Sequence, residues 1–164
     1  MDVSQTELET LAAELGAALS RRGWMLAAAE SCTGGWAAQA LTAVAGSSAW
    51  FERGFVTYSN EAKMEMLGVR ADTLTRFGAV SEETAREMAE GVRVHSRAQA
   101  AFAITGIAGP SGGSADKPVG TVCFAWARPG VEVVTERSCF AGDRQAIRAQ
   151  SVALALRKMR ALVT

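Results

Sequence analysis

The stretch Trp24-Met25-Leu26-Ala27-Ala28-Ala29-Glu30-Ser31-Cys32-Thr33-Gly34-Gly35-Trp36 passes from an apolar run through small polar residues into two glycines. The run from Trp24 to Ala29 is apolar without alternation, as expected of a strand covered on both faces, although alanine is a poor strand former. Gly34-Gly35 ends a tight turn, and Trp36 to Thr42 reads as a helix. Such a junction presents the Ser31 hydroxyl and several unpaired backbone N–H groups at one spot. That suits either a nucleophile beside an oxyanion hole or an anion cradle. It is not a Walker A loop, because no Gly-Lys-Ser/Thr follows, and it is not the Gly-x-Ser-x-Gly elbow. Glycines after a buried strand also serve turn geometry alone, so these residues by themselves leave the use open.

Working outward, Ser4-Gln5-Thr6-Glu7 matches a capping box, and Leu8, Leu11, Ala12, Leu15, Ala18 and Leu19 recur at helical spacing until Gly23. On the other side, Gly54-Phe55-Val56-Thr57-Tyr58 reads as a second strand. A short helix from Glu61 to Leu67 follows, with Asn60 as N-cap and Lys63 at its third position. Ser81 caps the next helix, which carries Ala85, Met88, Ala89 and Val92 on its buried stripe and ends near Ser96. Ala100 to Ile104 is strand-like and runs into Thr105-Gly106-Ile107-Ala108-Gly109-Pro110-Ser111-Gly112-Gly113, too rich in glycine for a regular element. Val119 to Ala127 and Val131 to Phe140 flank the turn Arg128-Pro129-Gly130 as a hairpin, which makes the sheet mixed. Asp143 caps a last helix to about Val163, with Val152, Leu156, Met159 and Val163 on one face. Helices interspersed with buried strands, plus one hairpin, predict an α/β fold: a three-layer α/β/α sandwich with a mixed β-sheet in a single domain spanning the 164 residues.

Composition narrows the function classes. Hydrophobic residues make up 49% and charged residues 21%, ordinary globular usage that argues against disorder. Lys and Arg number 17 against 17 Asp and Glu, and they are interspersed, so nucleic acid is not an expected partner. A small ligand with one or two anionic groups fits that balance. No apolar run approaches a membrane span, so no membrane partner is expected, and Met1-Asp2-Val3-Ser4 has neither the basic flank nor the apolar core of a signal peptide. Cys32, Cys123, Cys139 and the lone His95 show no ligand-like pairing, so neither a disulfide framework nor a metal site follows, and a reducing cytoplasm is expected.

A serine nucleophile needs a base. His95 lies at the edge of a helical stripe, where a packed or surface histidine is the better reading. Lys63 is the stronger candidate, because the first turn of a helix and burial both favour the neutral amine. An unperturbed lysine has a pKa of about 10.4, so a shift of roughly three units is required for neutral pH. Tyr58 could relay a proton or hold Ser31. Cys32 is a rival nucleophile if the helix start lowers its thiol pKa; adjacent residues of a turn rarely face the same way, and Ser31 is favoured. Thr105 ends a strand, and the following glycines Gly106, Gly109, Gly112 and Gly113 offer N–H groups to an anion, with Lys117-Pro118 closing the loop. Arg144 and Arg148 stand at the start of the last helix, where the dipole disfavours cations. They either clamp a ligand phosphate or pair with Asp143 or another carboxylate.

Taken together, Ala29-Glu30-Ser31-Cys32-Thr33-Gly34-Gly35, Tyr58-Ser59-Asn60-Glu61-Ala62-Lys63, Gly78-Ala79-Val80-Ser81, Thr105-Gly106-Ile107-Ala108-Gly109-Pro110, Lys117-Pro118-Val119-Gly120-Thr121 and Gly142-Asp143-Arg144 resemble the CinA C-terminal domain family, the nicotinamide-nucleotide amidohydrolases, also described as competence/damage-inducible protein C-terminal domains. The resemblance spans nearly the whole chain. It implies hydrolysis of the carboxamide of nicotinamide mononucleotide to nicotinic acid mononucleotide and ammonia, without metal or organic cofactor. On the matching positions Ser31 is the nucleophile and Lys63 its base, with Tyr58 and Thr105 orienting or relaying. The backbone of Cys32, Thr33 and Gly34 receives the oxyanion. Gly35, the glycines from Gly106 to Gly113, Arg144 and Arg148 bind the mononucleotide. A homo-oligomer, dimer or higher, is also implied. The alternative is a non-catalytic nucleotide-binding or regulatory module that uses the two glycine loops as a phosphate cradle.

Overall fold

Five strands, Leu26–Glu30 (β1), Phe51–Val56 (β2), Ala100–Gly106 (β3), Thr121–Ala127 (β4) and Val134–Cys139 (β5), form one sheet in the order β2-β1-β3-β4-β5. The computed structural model describes residues 2–164, so Met1 of the quoted N-terminus lies outside them. β1 runs parallel to both β2 and β3, whereas β4 and β5 are antiparallel additions, which gives the expected mixed sheet. The helices are Gln5–Arg22 (α1), Trp36–Thr42 (α2), Asn60–Leu67 (α3), Ala71–Phe77 (α4), Glu82–Val94 (α5) and Arg144–Val163 (α6). α1, α2 and α6 cover one face, and α3 and α5 pack on the other. The chain is therefore a single α/β domain of three layers.

Side-chain alternation explains the alanine-rich strands. Ala27, Ala29, Ala101, Ala103, Cys123, Ala125 and Ala127 point to the α5 face, where Ala85, Met88, Ala89 and Val92 meet them. The opposite face carries Phe102, Ile104, Val122, Phe124 and Trp126 under α1 and α6. Small side chains on one face let α5 lie close to the sheet, and the large ones fill the wider gap on the other. Alanine is thus chosen here for its volume, against its propensity. Trp126 donates its indole N–H to the Ala155 carbonyl at 3.0 Å, tying α6 to the sheet.

Local signals placed most helix starts. The Ser4–Glu7 capping box is formed, and Gly23 ends α1 in the left-handed region at φ 68°. Ser81 and Asp143 cap α5 and α6 as expected. Four expectations need correction. Ser59, not Asn60, caps α3: its hydroxyl accepts from the Ala62 N–H at 3.0 Å and its backbone is extended, which moves Lys63 to the fourth helical position. β2 covers Phe51–Val56 rather than residues 54–58, because its length follows its pairing with β1 from Leu26↔Phe51 to Glu30↔Val56. The hairpin strands are shorter than the apolar runs, starting at Thr121 and Val134, where the β4–β5 ladder begins and ends. α4 was not expected at all. It has no cap of its own; the Glu87 carboxylate of α5 accepts from the Arg70 N–H and the Thr73 hydroxyl, so its start is held by a partner distant in sequence.

The topology positions the site. From β1 the chain crosses through α2 to β2 on one side, and from β2 it returns through α3, α4 and α5 to β3 on the other. The carboxyl ends of β1 and β3 therefore flank a topological switch point, where open α/β sheets bind ligands.

Gly91 of α5 crosses α3 so closely that a Cβ there would lie 2.0 Å from the Leu67 carbonyl oxygen. Gly91→Ala is expected to lower the unfolding free energy by about 1–3 kcal/mol, measured by denaturant titration, because backbone rather than a flexible side chain must yield.

Candidate active site

The turn after β1 is built by Glu30. Its carboxylate is 1% exposed, and it accepts from the Thr33 hydroxyl at 2.7 Å and from the N–H groups of Ala37 and Ala38 at 2.8 and 2.9 Å. The first amides of α2 are thereby satisfied from within the chain and are closed to a ligand. Sequence reasoning assigned Glu30 no role; an acid directly before a glycine turn and a helix start was the available signal. Gly34 and Gly35 take φ of 57° and 101°, a region that side-chain-bearing residues avoid. The Ser31 N–H donates to the Ile104 carbonyl, and the Gly34 N–H to the Ser31 carbonyl, each at 3.0 Å. Of the three amides assigned to an oxyanion, Gly34 is therefore engaged. Those of Cys32 and Thr33 meet no acceptor among the described residues.

Lys63 is 1% exposed and Ser31 7%. The amine, arriving from α3, lies 3.0 Å from Ser31 Oγ, 2.9 Å from the Thr57 carbonyl and 3.5 Å from the Tyr58 carbonyl. No carboxylate pairs with it among the described residues. Desolvation by burial pushes its pKa below the ordinary 10.5, outweighing an opposing influence from Cys32. In the neutral form the two carbonyls take the two N–H groups, which leaves the nitrogen lone pair for the Ser31 hydroxyl proton. Burial acts oppositely on Cys32, whose thiol is pushed up to about 12 despite the nearby Arg148 charge. That shift disfavours a free thiolate at neutral pH and weighs against Cys32 as the nucleophile.

Ser31, Cys32, Lys63, Tyr58, Thr105, Gly106, Gly109 and Arg144 all line one cleft of about 260 Å³, together with Asn60, Ala79 and Ser111, which the sequence reading had not proposed as site residues. Thr105 is buried, and its hydroxyl donates to the Ala79 carbonyl at 2.8 Å, joining the end of β3 to the α4–α5 connection. Tyr58 is exposed at the mouth; its hydroxyl accepts from Arg144 at 3.3 Å and forms no hydrogen bond with Ser31 or Lys63. Arg144 also donates to the Gly109 carbonyl at 2.7 Å, so it braces the glycine loop. Gly35, Gly112 and Gly113 do not line the cleft. A Cβ at Gly113 would lie 2.9 Å from the Val119 nitrogen, which explains that glycine by packing.

Arg148 does not line this cleft; with Trp36, Arg144 and Gln145 it lines a neighbouring open groove of about 490 Å³. It donates Nε to the Cys32 carbonyl at 3.0 Å and a terminal nitrogen to the Thr33 carbonyl at 3.1 Å, with its guanidinium 5.5 Å from the Trp36 ring centroid. Asp143 caps α6 through the Ala146 N–H and forms no ion pair with Arg144 or Arg148. His95 sits at the end of α5 with Nδ1 2.9 Å from the Gly91 carbonyl, outside the cleft. Among the described residues no three His, Cys, Asp or Glu side chains gather to hold a metal ion, and no helix is long and apolar enough to cross a membrane.

Fold and site together define a three-layer α/β protein that carries a buried serine–lysine pair at the switch point of its sheet. The chain belongs to the CinA C-terminal domain family, whose pattern matches residues 8–163. It is 55% identical over 157 residues to the nicotinamide-nucleotide amidohydrolase PncC of Escherichia coli strain K12, covering 96% of this chain and 95% of that protein. The protein of the same name from Pseudomonas putida is 50% identical over 149 residues, 91% of this chain and 92% of the relative. The crystal structure of the competence/damage inducible protein CihA from Agrobacterium tumefaciens superposes with a TM-score of 0.93 at 49% identity, covering 96% of both chains.

Because burial favours the neutral amine, the unfolded chain binds more protons than the folded one between the lowered pKa of Lys63 and its ordinary 10.5. Folding stability gains with pH across that window from this group. Lys63→Met is expected to flatten that rise and to raise the melting temperature at neutral pH, read from thermal melts at a series of pH values.

Proposed function

We propose that this chain hydrolyses the carboxamide of nicotinamide mononucleotide to nicotinic acid mononucleotide and ammonia through an acyl-enzyme on Ser31. The observation that carries the reading is the buried 3.0 Å contact between Lys63 Nζ and Ser31 Oγ, in a chain whose relatives are named for this reaction. Neutral Lys63 takes the hydroxyl proton as Ser31 Oγ bonds to the carboxamide carbon. The N–H groups of Cys32 and Thr33 receive the oxyanion, and this pair replaces the wider set that included Gly34. When the C–N bond breaks, the Lys63 ammonium returns the proton to the departing nitrogen, which leaves as ammonia. Water then attacks the ester carbon as Lys63 takes one of its protons; Lys63 returns that proton to Ser31 Oγ as the C–O bond breaks, and the acid product ionises to the carboxylate by losing its proton to solvent.

Arg144, at the mouth of the cleft and without an acidic partner among the described residues, binds the phosphate with the loop from Gly106 to Ser111. Tyr58 and Thr105 shape the site, one held by Arg144 and the other on Ala79. Serine, lysine and water supply every step, so the reading includes no cofactor. Three free cysteines accord with a reducing compartment such as the cytoplasm.

Incubation with nicotinamide mononucleotide is expected to release ammonia, with kcat/KM rising with pH through a pKa below the ordinary lysine value. Ser31→Ala is expected to abolish release; ammonia formed at the wild-type rate by that variant would sink the reading. Arg144→Ala is expected to raise KM for the mononucleotide about tenfold or more, the scale of a hydrogen bond between charged groups, in steady-state kinetics.

A further inference from the structure

Two side chains hold the turn that carries Ser31, and they hold it differently. Glu30 closes the start of α2. Arg148 reaches across from α6 and engages the carbonyl oxygens of Cys32 and Thr33 with two donors of its planar guanidinium. Its packing over Trp36 restricts where the guanidinium can lie. A peptide unit is rigid, with its C=O and N–H on opposite edges of one plane. Fixing the Cys32 carbonyl therefore fixes the direction of the Thr33 N–H. Fixing the Thr33 carbonyl orients the Gly34 N–H, which bonds the Ser31 carbonyl at 3.0 Å and so sets the plane that bears the Cys32 N–H. The two amides of the turn named above as oxyanion donors are each governed by Arg148 through such a plane. A cation on a carbonyl oxygen also polarises the amide and makes its N–H a stronger donor.

We infer that Arg148 is a positioning residue that aims and strengthens the oxyanion donors Cys32 and Thr33, and does not bind the substrate phosphate. This assigns the two arginines of α6 to separate tasks, Arg144 to the ligand and Arg148 to the turn. The inference rests on the amidase reading of Ser31.

The test is steady-state kinetics of Arg148→Gln, Arg148→Lys and Arg148→Ala with nicotinamide mononucleotide, with rates referred to folded protein. Misaimed oxyanion donors are expected to lower kcat by about ten- to a hundredfold, somewhat less than outright loss of one donor, while KM stays within about twofold. Added guanidinium ion is expected to restore part of the rate to Arg148→Ala. Should that variant not fold, the kcat-against-KM split of the glutamine and lysine variants decides. A raised KM with kcat preserved would make Arg148 a phosphate ligand and overturn the inference. An unchanged kcat per folded molecule with a lowered melting temperature would make it structural only and overturn it as well. A wild-type chain that releases no ammonia defeats the amidase reading itself, whereas an active wild type beside fully active Arg148 variants defeats only the positioning role.

Discussion

Lys63 Nζ lies 3.0 Å from Ser31 Oγ and 2.9 Å from the Thr57 carbonyl in a place almost closed to water. An amine so placed, with no carboxylate paired to it among the described residues, is pushed toward the neutral form by desolvation, and the surroundings must be rigid enough to stop it from escaping to solvent. The rigidity comes from the parallel neighbours β1 and β2. The Thr57 N–H bonds the Glu30 carbonyl at 2.8 Å, so the strand end that meets the lysine is tied to the strand end that carries the serine. The Ser59 cap then starts α3 at the one offset that sends Lys63 back over the end of β2.

The remaining architecture serves that contact. Alanines on one face of β1, β3 and β4 let α5 approach closely, and Met88 and Val92 seal that side of the sheet against water. The bulky Phe102, Ile104, Phe124 and Trp126 anchor α1 and α6 on the other face. α6 in turn brings two arginines to the carboxyl ends of the strands, one touching Gly109 and Tyr58, the other Cys32 and Thr33. Both lie in the first two turns of a helix, where the dipole opposes a cation, so their placement is accounted for by their acceptors and not by helix stability.

Much of this was legible in the chain. The strand, glycine turn and helix from Trp24 to Thr42 were read correctly in kind, because two adjacent glycines after a buried run have few other uses. The ordering of helices and strands, the hairpin and the mixed sheet were also read, and Ser31, Lys63, Tyr58, Thr105, Gly106, Gly109 and Arg144 do line one cleft. Illegible were α4, whose start is held by Glu87, and the bounds of β2, an edge strand whose half-exposed pattern carries little periodicity. Glu30 was assigned no role, although an acid directly before a glycine turn and a helix start was a usable signal; its partners, the Thr33 hydroxyl and the Ala37 and Ala38 amides, meet it only once the turn has closed.

The sequence by itself determined most of the elements and the starts of α1, α2, α5 and α6, since Ser4, Gly34, Gly35, Ser81 and Asp143 act on backbone within a few residues. Tertiary structure alone decided which groups meet: Lys63 with Ser31 across 32 residues, Arg148 with Cys32 across 116, and Thr105 with Ala79 across 26. Those pairings depend on sheet order and on the closeness with which helices can pack. The same packing sets the desolvation that moves the lysine and the thiol in opposite directions, a property of the folded surroundings that no local stretch contains.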